Sequence, residues 1–127
     1  MREEFSGSLW LRSDGTFLGG IGLHPINWNV PSFEIGYWLR KSATGQGYMT
    51  EAVRLMTRLA FETLEANRVF IRCSAKNSHS ASVARRAGYV AEGALRNAER
   101  ATDGELYDML FFGMTPGEYA ALQPEYV

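Results

Sequence analysis

Apolar and polar positions change their period several times along the chain, and each change marks an element. Apolar runs at 9–12 and 17–23 flank Ser13-Asp14-Gly15-Thr16, whose Asp-Gly pair tolerates the positive φ angles of a tight turn, so a β-hairpin is predicted. After a loop punctuated by Pro25 and Pro31, residues 33–39 alternate strictly. Phe33, Ile35, Tyr37 and Leu39 share one face, and Glu34, Gly36 and Trp38 share the other. This third strand sets a carboxylate beside a gap that has no side chain.

The period then lengthens. Met49, Ala52, Val53, Met56, Leu59, Ala60 and Leu64 recur at three- and four-residue steps, which predicts an amphipathic helix over 49–65 with Arg54 and Arg58 on its wet side. Val69-Phe70-Ile71-Arg72-Cys73 reads as a buried strand, and 78–87 as a short helix stopped by Gly88 at a left-handed C′ position. Segments 89–95 and 105–114 flank Asp103-Gly104, a second hairpin signal, before Thr115-Pro116-Gly117-Glu118-Tyr119 suggests a last helical turn. The class is α+β with a mixed sheet. Without repeats, low-complexity tracts or a linker, 1–127 reads as a single domain.

Composition narrows the partners. A chain of 127 residues with 46% hydrophobic content supports one core. Its 13 Lys+Arg balance 14 Asp+Glu to a formal charge of −1, and no segment concentrates basic residues, so no nucleic-acid partner is expected. No apolar run approaches the roughly 20 residues of a membrane span. One cysteine, Cys73, and a start lacking a secretory apolar segment lead to an expected cytoplasmic location. His24 and His79 lack Asp, Glu or Cys partners at ligand spacing, so no metal is expected, and Cys73 reads as a buried small hydrophobe.

Between the third strand and the long helix, Arg40-Lys41-Ser42-Ala43-Thr44-Gly45-Gln46-Gly47-Tyr48-Met49-Thr50-Glu51-Ala52 is a glycine-containing loop that opens into a helix. Unpaired N–H groups and the positive end of the dipole make a helix start an anion site, and Gly45 and Gly47 allow a pyrophosphate to approach the backbone closely. No Gly-Lys-Ser/Thr follows, and Thr50 stands where a dinucleotide fingerprint has its third glycine, so nucleotide hydrolysis and NAD chemistry lose support. The plainer alternative is that both glycines only shape a turn.

This loop, with Asn77-Ser78-His79-Ser80 and Ala87-Gly88-Tyr89 in the same order, resembles the GNAT acyl-CoA N-acyltransferase superfamily. Gly-Tyr-Trp-Leu before the loop, Gly-Gln-Gly-Tyr-Met-Thr-Glu-Ala within it and the Asn-x-x-Ser after it most resemble the branch that acetylates N-terminal amines of ribosomal proteins. The resemblance implies a mostly antiparallel sheet with a central splayed strand pair and flanking helices. It implies acetyl-CoA as cosubstrate, with pyrophosphate on the backbone of Gly45, Gln46, Gly47, Tyr48, Met49 and Thr50. The pantetheine would pair with main chain around Leu39 and Arg40, and Asn77 would hold it from the other side. Family members usually begin with a strand and two helices ahead of the first hairpin, which build one wall of the acceptor cleft; here a second copy, as a homodimer, could supply that wall. A coenzyme-binding module without turnover, or a fragment active only as an oligomer, are the rival readings.

Acyl transfer from a thioester to an amine needs a base for the amine proton and a donor for the departing thiolate. Glu34 is the base candidate, against the plainer reading of a solvated strand carboxylate. Ser80 is the candidate partner of the leaving sulfur, by its place in Asn-x-x-Ser; its alternative, shared with Ser78, is helix capping. Tyr107 is a reserve acid and Asp108 a residue that could orient the amine. The acceptor expected is a primary amine, either a protein N-terminus or a small molecule.

Overall fold

The computed structural model describes residues 5–10, 15–41, 44, 45 and 47–122. Along them run β1 (Phe5–Trp10), β2 (Phe17–Asn27), β3 (Ser32–Leu39), α1 (Tyr48–Arg58), β4 (Arg68–Ser74), α2 (Ser78–Arg86), β5 (Val90–Arg100), β6 (Leu106–Met114) and α3 (Pro116–Ala120). The strands form one sheet in the order β1-β2-β3-β4-β6-β5. Neighbours pair antiparallel except β3 and β4, which run parallel. The result is the expected α+β class with a mixed, mostly antiparallel sheet. Among the described residues no helix is long and apolar enough to cross a membrane.

Three local expectations are corrected. The segment around Pro25 is not loop: β2 runs on to Asn27, with Pro25 opposite Phe33 and a register shift just beyond it. A proline cannot donate to a ladder, and an irregular stretch tolerates that loss. The long helix stays α-helical only to Arg58; Leu59–Thr63 is a π-turn, with Leu64 N–H donating to Leu59 O at 3.1 Å and Ala66 N–H to Ala60 O at 2.9 Å. The wide turn still aims Ala60 into the core, so the apolar spacing gives no sign of it. Arg54 is not on a wet face either, since its Nη2 donates to Arg86 O at 2.9 Å and ties α1 to the end of α2.

The core lies between one sheet face and the two longer helices. Leu23, Phe33, Ile35, Val69, Ile71 and Phe112 from the strands meet Val53 and Ala84 from the helices, all at 1% exposure or less. Alternation along β3 is as expected, with Phe33 and Ile35 buried. Thr57, fully buried, keeps its hydroxyl satisfied by donating to Val53 O at 2.7 Å and sharing a 2.6 Å hydrogen bond with Tyr89. At Gly88, φ is +91° and α2 stops there, as a left-handed C′ glycine requires.

What positions the site is the short seam between β3 and β4. The two strands pair at Ser32↔Arg68, Phe33↔Val69 and Glu34↔Phe70, and beyond that each continues alone, β4 toward β6 and β3 toward β2. The central pair is therefore splayed from Glu34 onward.

One ion pair bridges a strand it does not touch. Arg68 on β4 donates to Glu92 on β5 through both Nη groups at 2.8 and 2.6 Å, passing over β6 at Gly113, where a Cβ would meet the Glu92 carboxylate at 2.5 Å. The Arg68 hydrogen bonds hold the Glu92 carboxyl below the usual carboxylate range. A depressed folded-state value contributes stability that is present above the unfolded value and lost as pH falls through the folded one. With both side chains about one-third exposed, Glu92→Gln is expected to cost no more than about 1 kcal/mol at neutral pH. The difference from wild type should shrink as pH falls through the folded value, checked by urea denaturation at neutral and at acidic pH.

Candidate active site

Two left-handed glycines shape the loop ahead of α1. Gly45 and Gly47 have φ of +81° and +80°, and a Cβ at either would meet nothing within 4 Å. Glycine is therefore needed for the backbone conformation, and the space it leaves is open to a ligand. Gly47 is the N-cap of α1 and has no side chain to offer, while its carbonyl accepts from Glu51 N–H at 3.1 Å. The first amides of α1 thus point toward the loop with the positive end of the helix dipole. Met49 and Thr50 are 2% and 8% exposed, so they can present main chain but not side chain to that space.

The facing wall is α2. Its N-cap is Asn77, whose Oδ1 accepts from Ser80 N–H at 3.0 Å, so neither Ser78 nor Ser80 serves as the cap. Ser80 lies in the first turn, and its carbonyl accepts the Tyr37 hydroxyl at 2.8 Å. That bond spans the splay from β3 to α2. Burial, with the Cys73 thiol adding to it, pushes the Tyr37 hydroxyl far above the usual phenol range, so it stays a donor. Burial also raises the Cys73 thiol, which keeps it protonated and unreactive, as the sequence implies.

Between these walls lies a narrow groove. Leu39, Gly45, Gly47, Met49 and Thr50 line one side, and His79, Ser82, Val83 and Arg86 the other. His79 Nε2 is buried and has no hydrogen-bond partner among the described residues. Most of the proposed coenzyme residues therefore converge. Tyr48 opens α1 beside them, Gln46 lies outside the described residues, and Arg40 turns away: its N–H donates to Leu18 O at 2.7 Å and its Nη1 to Phe17 O at 3.3 Å. Asn77 has its Oδ1 committed to the cap.

Glu34 is on the opposite sheet face from the groove, at the point where β3 and β4 part. The gap expected beside it at Gly36 is taken by the imidazole of His24, whose Nε2 would be 3.5 Å from a Cβ there. Glu34 Oε2 instead accepts from Arg72 Nε at 2.7 Å, with the Glu34 side chain 15% exposed and that of Arg72 50%. Glu34 and Ser80 are therefore not neighbours on one face; the splay is what connects their two sides of the sheet. Further along, Asp108 Oδ1 accepts from Asn97 N–H at 2.9 Å and props a bulge in β5, where Asn97 has φ +50°. Tyr107 is half-buried in β6.

Sequence reasoning missed three of these residues. The alternation puts Tyr37 on the apolar face, His79 appears only within the Asn77–Ser80 motif and as a rejected metal ligand, and Arg72 only as part of a buried strand, although a lone cation inside an apolar run is a visible signal.

The fold recurs in known proteins. The acetyltransferase (GNAT) domain family matches residues 2–90. The chain belongs to the GNAT family. Among relatives of this family, YdaF of Bacillus subtilis (strain 168), whose name assigns it to ribosomal N-acetylation, is 35% identical over 106 residues, 84% of this chain and 57% of that protein. The ribosomal-protein-serine acetyltransferase of Escherichia coli (strain K12) is 36% identical over 81 residues, 64% of this chain and 44% of its own length. A crystal structure described as a probable acetyltransferase superposes with a TM-score of 0.80 at 33% identity, covering 90% of this chain and 64% of that one. The chain thus spans about half the length of the curated relatives it matches.

Proposed function

We propose that this domain is an N-acetyltransferase that moves an acetyl group from acetyl-CoA directly to a primary amine. The observation that carries the reading is the groove at the glycine loop and start of α1, beside a β3–β4 pair whose pairing ends at Glu34. The chemistry of the groove supports the coenzyme reading. Its glycines leave the backbone bare, its helix start offers amides, and His79 Nε2 is a buried polar atom without a partner among the described residues. When bound there, the coenzyme supplies the thioester.

The chain's residues then divide the work. The amides of Gly47, Tyr48, Met49 and Thr50 receive the pyrophosphate, and Leu39 borders the pantetheine. Glu34 takes the amine proton, directly or through water, as nitrogen bonds to the carbonyl carbon and the carbon–sulfur bond breaks. The Ser80 hydroxyl, which does not serve as the helix cap, hydrogen-bonds the departing thiolate. The names of the relatives support a protein N-terminus as acceptor, ahead of a small amine, and a cytoplasmic setting agrees with both.

The test is thiol release from acetyl-CoA across a panel of peptides with free N-termini and small primary amines. Amine-dependent release is expected, and Ser80→Ala should slow it about tenfold, the loss of one hydrogen bond to a developing charge. Silence across the panel from a folded chain overturns the proposal. A second reading is favoured by a band of touching rings, Trp10, Phe17 and Trp38, with centroids 4.9 and 5.5 Å apart and both indoles more than half exposed. Such a surface suits a homodimer. Release that sets in only above a dimerisation concentration is its signature.

A further inference from the structure

We infer that Arg72 is the positioning residue for Glu34, fixing which carboxylate oxygen meets the amine; the inference rests on the reading of Glu34 as proton acceptor. Pairing of β3 with β4 ends at Glu34↔Phe70, so Arg72 lies on the free stretch of β4, and its side chain reaches back to β3. The contact is short and charge-assisted, from Nε to Oε2 at 2.7 Å. It joins a carboxylate that is 15% exposed to a guanidinium that is 50% exposed, so the cation covers the carboxylate from outside. On the other flank, the His24 ring fills the space over Gly36. Glu34 is therefore walled on both sides and tied by one oxygen.

Oε1 is the oxygen left for chemistry. As the nitrogen–carbon bond forms and the carbon–sulfur bond breaks, the amine proton passes to Oε1 while Oε2 stays on Arg72. Arg72 neither gives nor takes a proton and touches no reacting atom. Its effect is to prevent the carboxylate from rotating away from the splay, and catalysis is sensitive to displacements of that size.

A tie between two strands would be an equally good reason for an ion pair, and kinetics separates the two roles. The experiment compares kcat and both KM values for wild type, Arg72→Ala, Arg72→Lys, Glu34→Gln and the double variant, using acetyl-CoA and an amine that turns over. Glu34→Gln is expected to lower kcat about 10²-fold. Arg72→Ala should lower kcat roughly 10- to 100-fold while the acetyl-CoA KM stays within about twofold, and Arg72→Lys should recover part of the loss. In the Glu34→Gln background Arg72→Ala should cost nothing more, because it acts only through Glu34. An equal loss on both backgrounds, or a full-rate Arg72→Ala enzyme beside a slow Glu34→Gln enzyme, overturns the role of Arg72. If Glu34→Gln itself runs at the wild-type rate, the assignment of Glu34 falls, and that of Arg72 with it.

Discussion

Gly19→Ala is expected to destabilise the domain by about 3 kcal/mol, at the upper end of the usual cost of overpacking. Gly19 is buried in β2, paired with Leu9 on one side and Leu39 on the other. A Cβ there would be 2.2 Å from Trp38 O and 2.9 Å from Leu39 Cα. Both are backbone atoms, so no side chain can swing aside, and β2 and β3 must separate. Thermal unfolding should drop by roughly 10–15 °C for a domain of this size. The displaced segment is the end of β3 that borders the groove proposed for the coenzyme, so acetyl-CoA affinity should fall as well. Gly20→Ala is the control. Its nearest neighbour would be Trp38 Nε1 at 2.8 Å, the end of an exposed side chain that can move, so the cost should stay within about 1 kcal/mol. Equal losses from the two variants would show that the backbone contact is not what matters.

Gly47→Glu should weaken acetyl-CoA binding by roughly 10²- to 10³-fold in a calorimetric titration, with little change in the core. Two effects act together. At φ +80° a side chain strains the backbone by roughly 1–2 kcal/mol, and a carboxylate is placed where the helix start would otherwise meet a pyrophosphate. Because nothing lies within 4 Å of the added Cβ, no packing is lost, and a folded variant is expected. Raising the salt should recover part of the affinity, since the repulsive part is screened and the strain is not. Undiminished binding would place the phosphates elsewhere.

The parts of the fold with a local cause were legible in the sequence. Residues 33–39 alternate because a half-buried strand must, Gly88 stops α2 because that position is left-handed, and Gly104, at φ +88°, turns the last hairpin. The loop and first turn of α1 could be read for the same reason: one continuous stretch sets their conformation. The features that escaped come from pairs distant in sequence. Glu34 meets Arg72 across 38 residues and Tyr37 meets Ser80 across 43, and no period or spacing encodes either contact. The filling of the Gly36 gap by His24 depends on the register of β2 against β3, which the hairpin alone does not set. The capping alternative for Ser78 and Ser80 stays open in the sequence because asparagine and serine serve almost equally well, and only geometry chooses Asn77. The π-turn was hidden because it keeps the same residues facing inward.

The short seam between β3 and β4 also bears on how the domain opens. It divides the sheet into two antiparallel blocks, β1-β2-β3 and β4-β6-β5, joined in the sheet by three residue pairs. Each block carries its own dense ladder, so the seam is the natural boundary between cooperative units. Leu39 at the end of one block and His79 on the helix that follows the first strand of the other both line the groove, so a ligand held there would touch both. It therefore works as a removable crosslink, and its binding energy weighs most on the equilibrium in which the blocks part. Amide exchange in β5 and β6, far from the phosphates, would slow on saturation only to the extent that the two blocks open together. Occupancy of the groove is thus coupled to the cooperativity of the whole sheet.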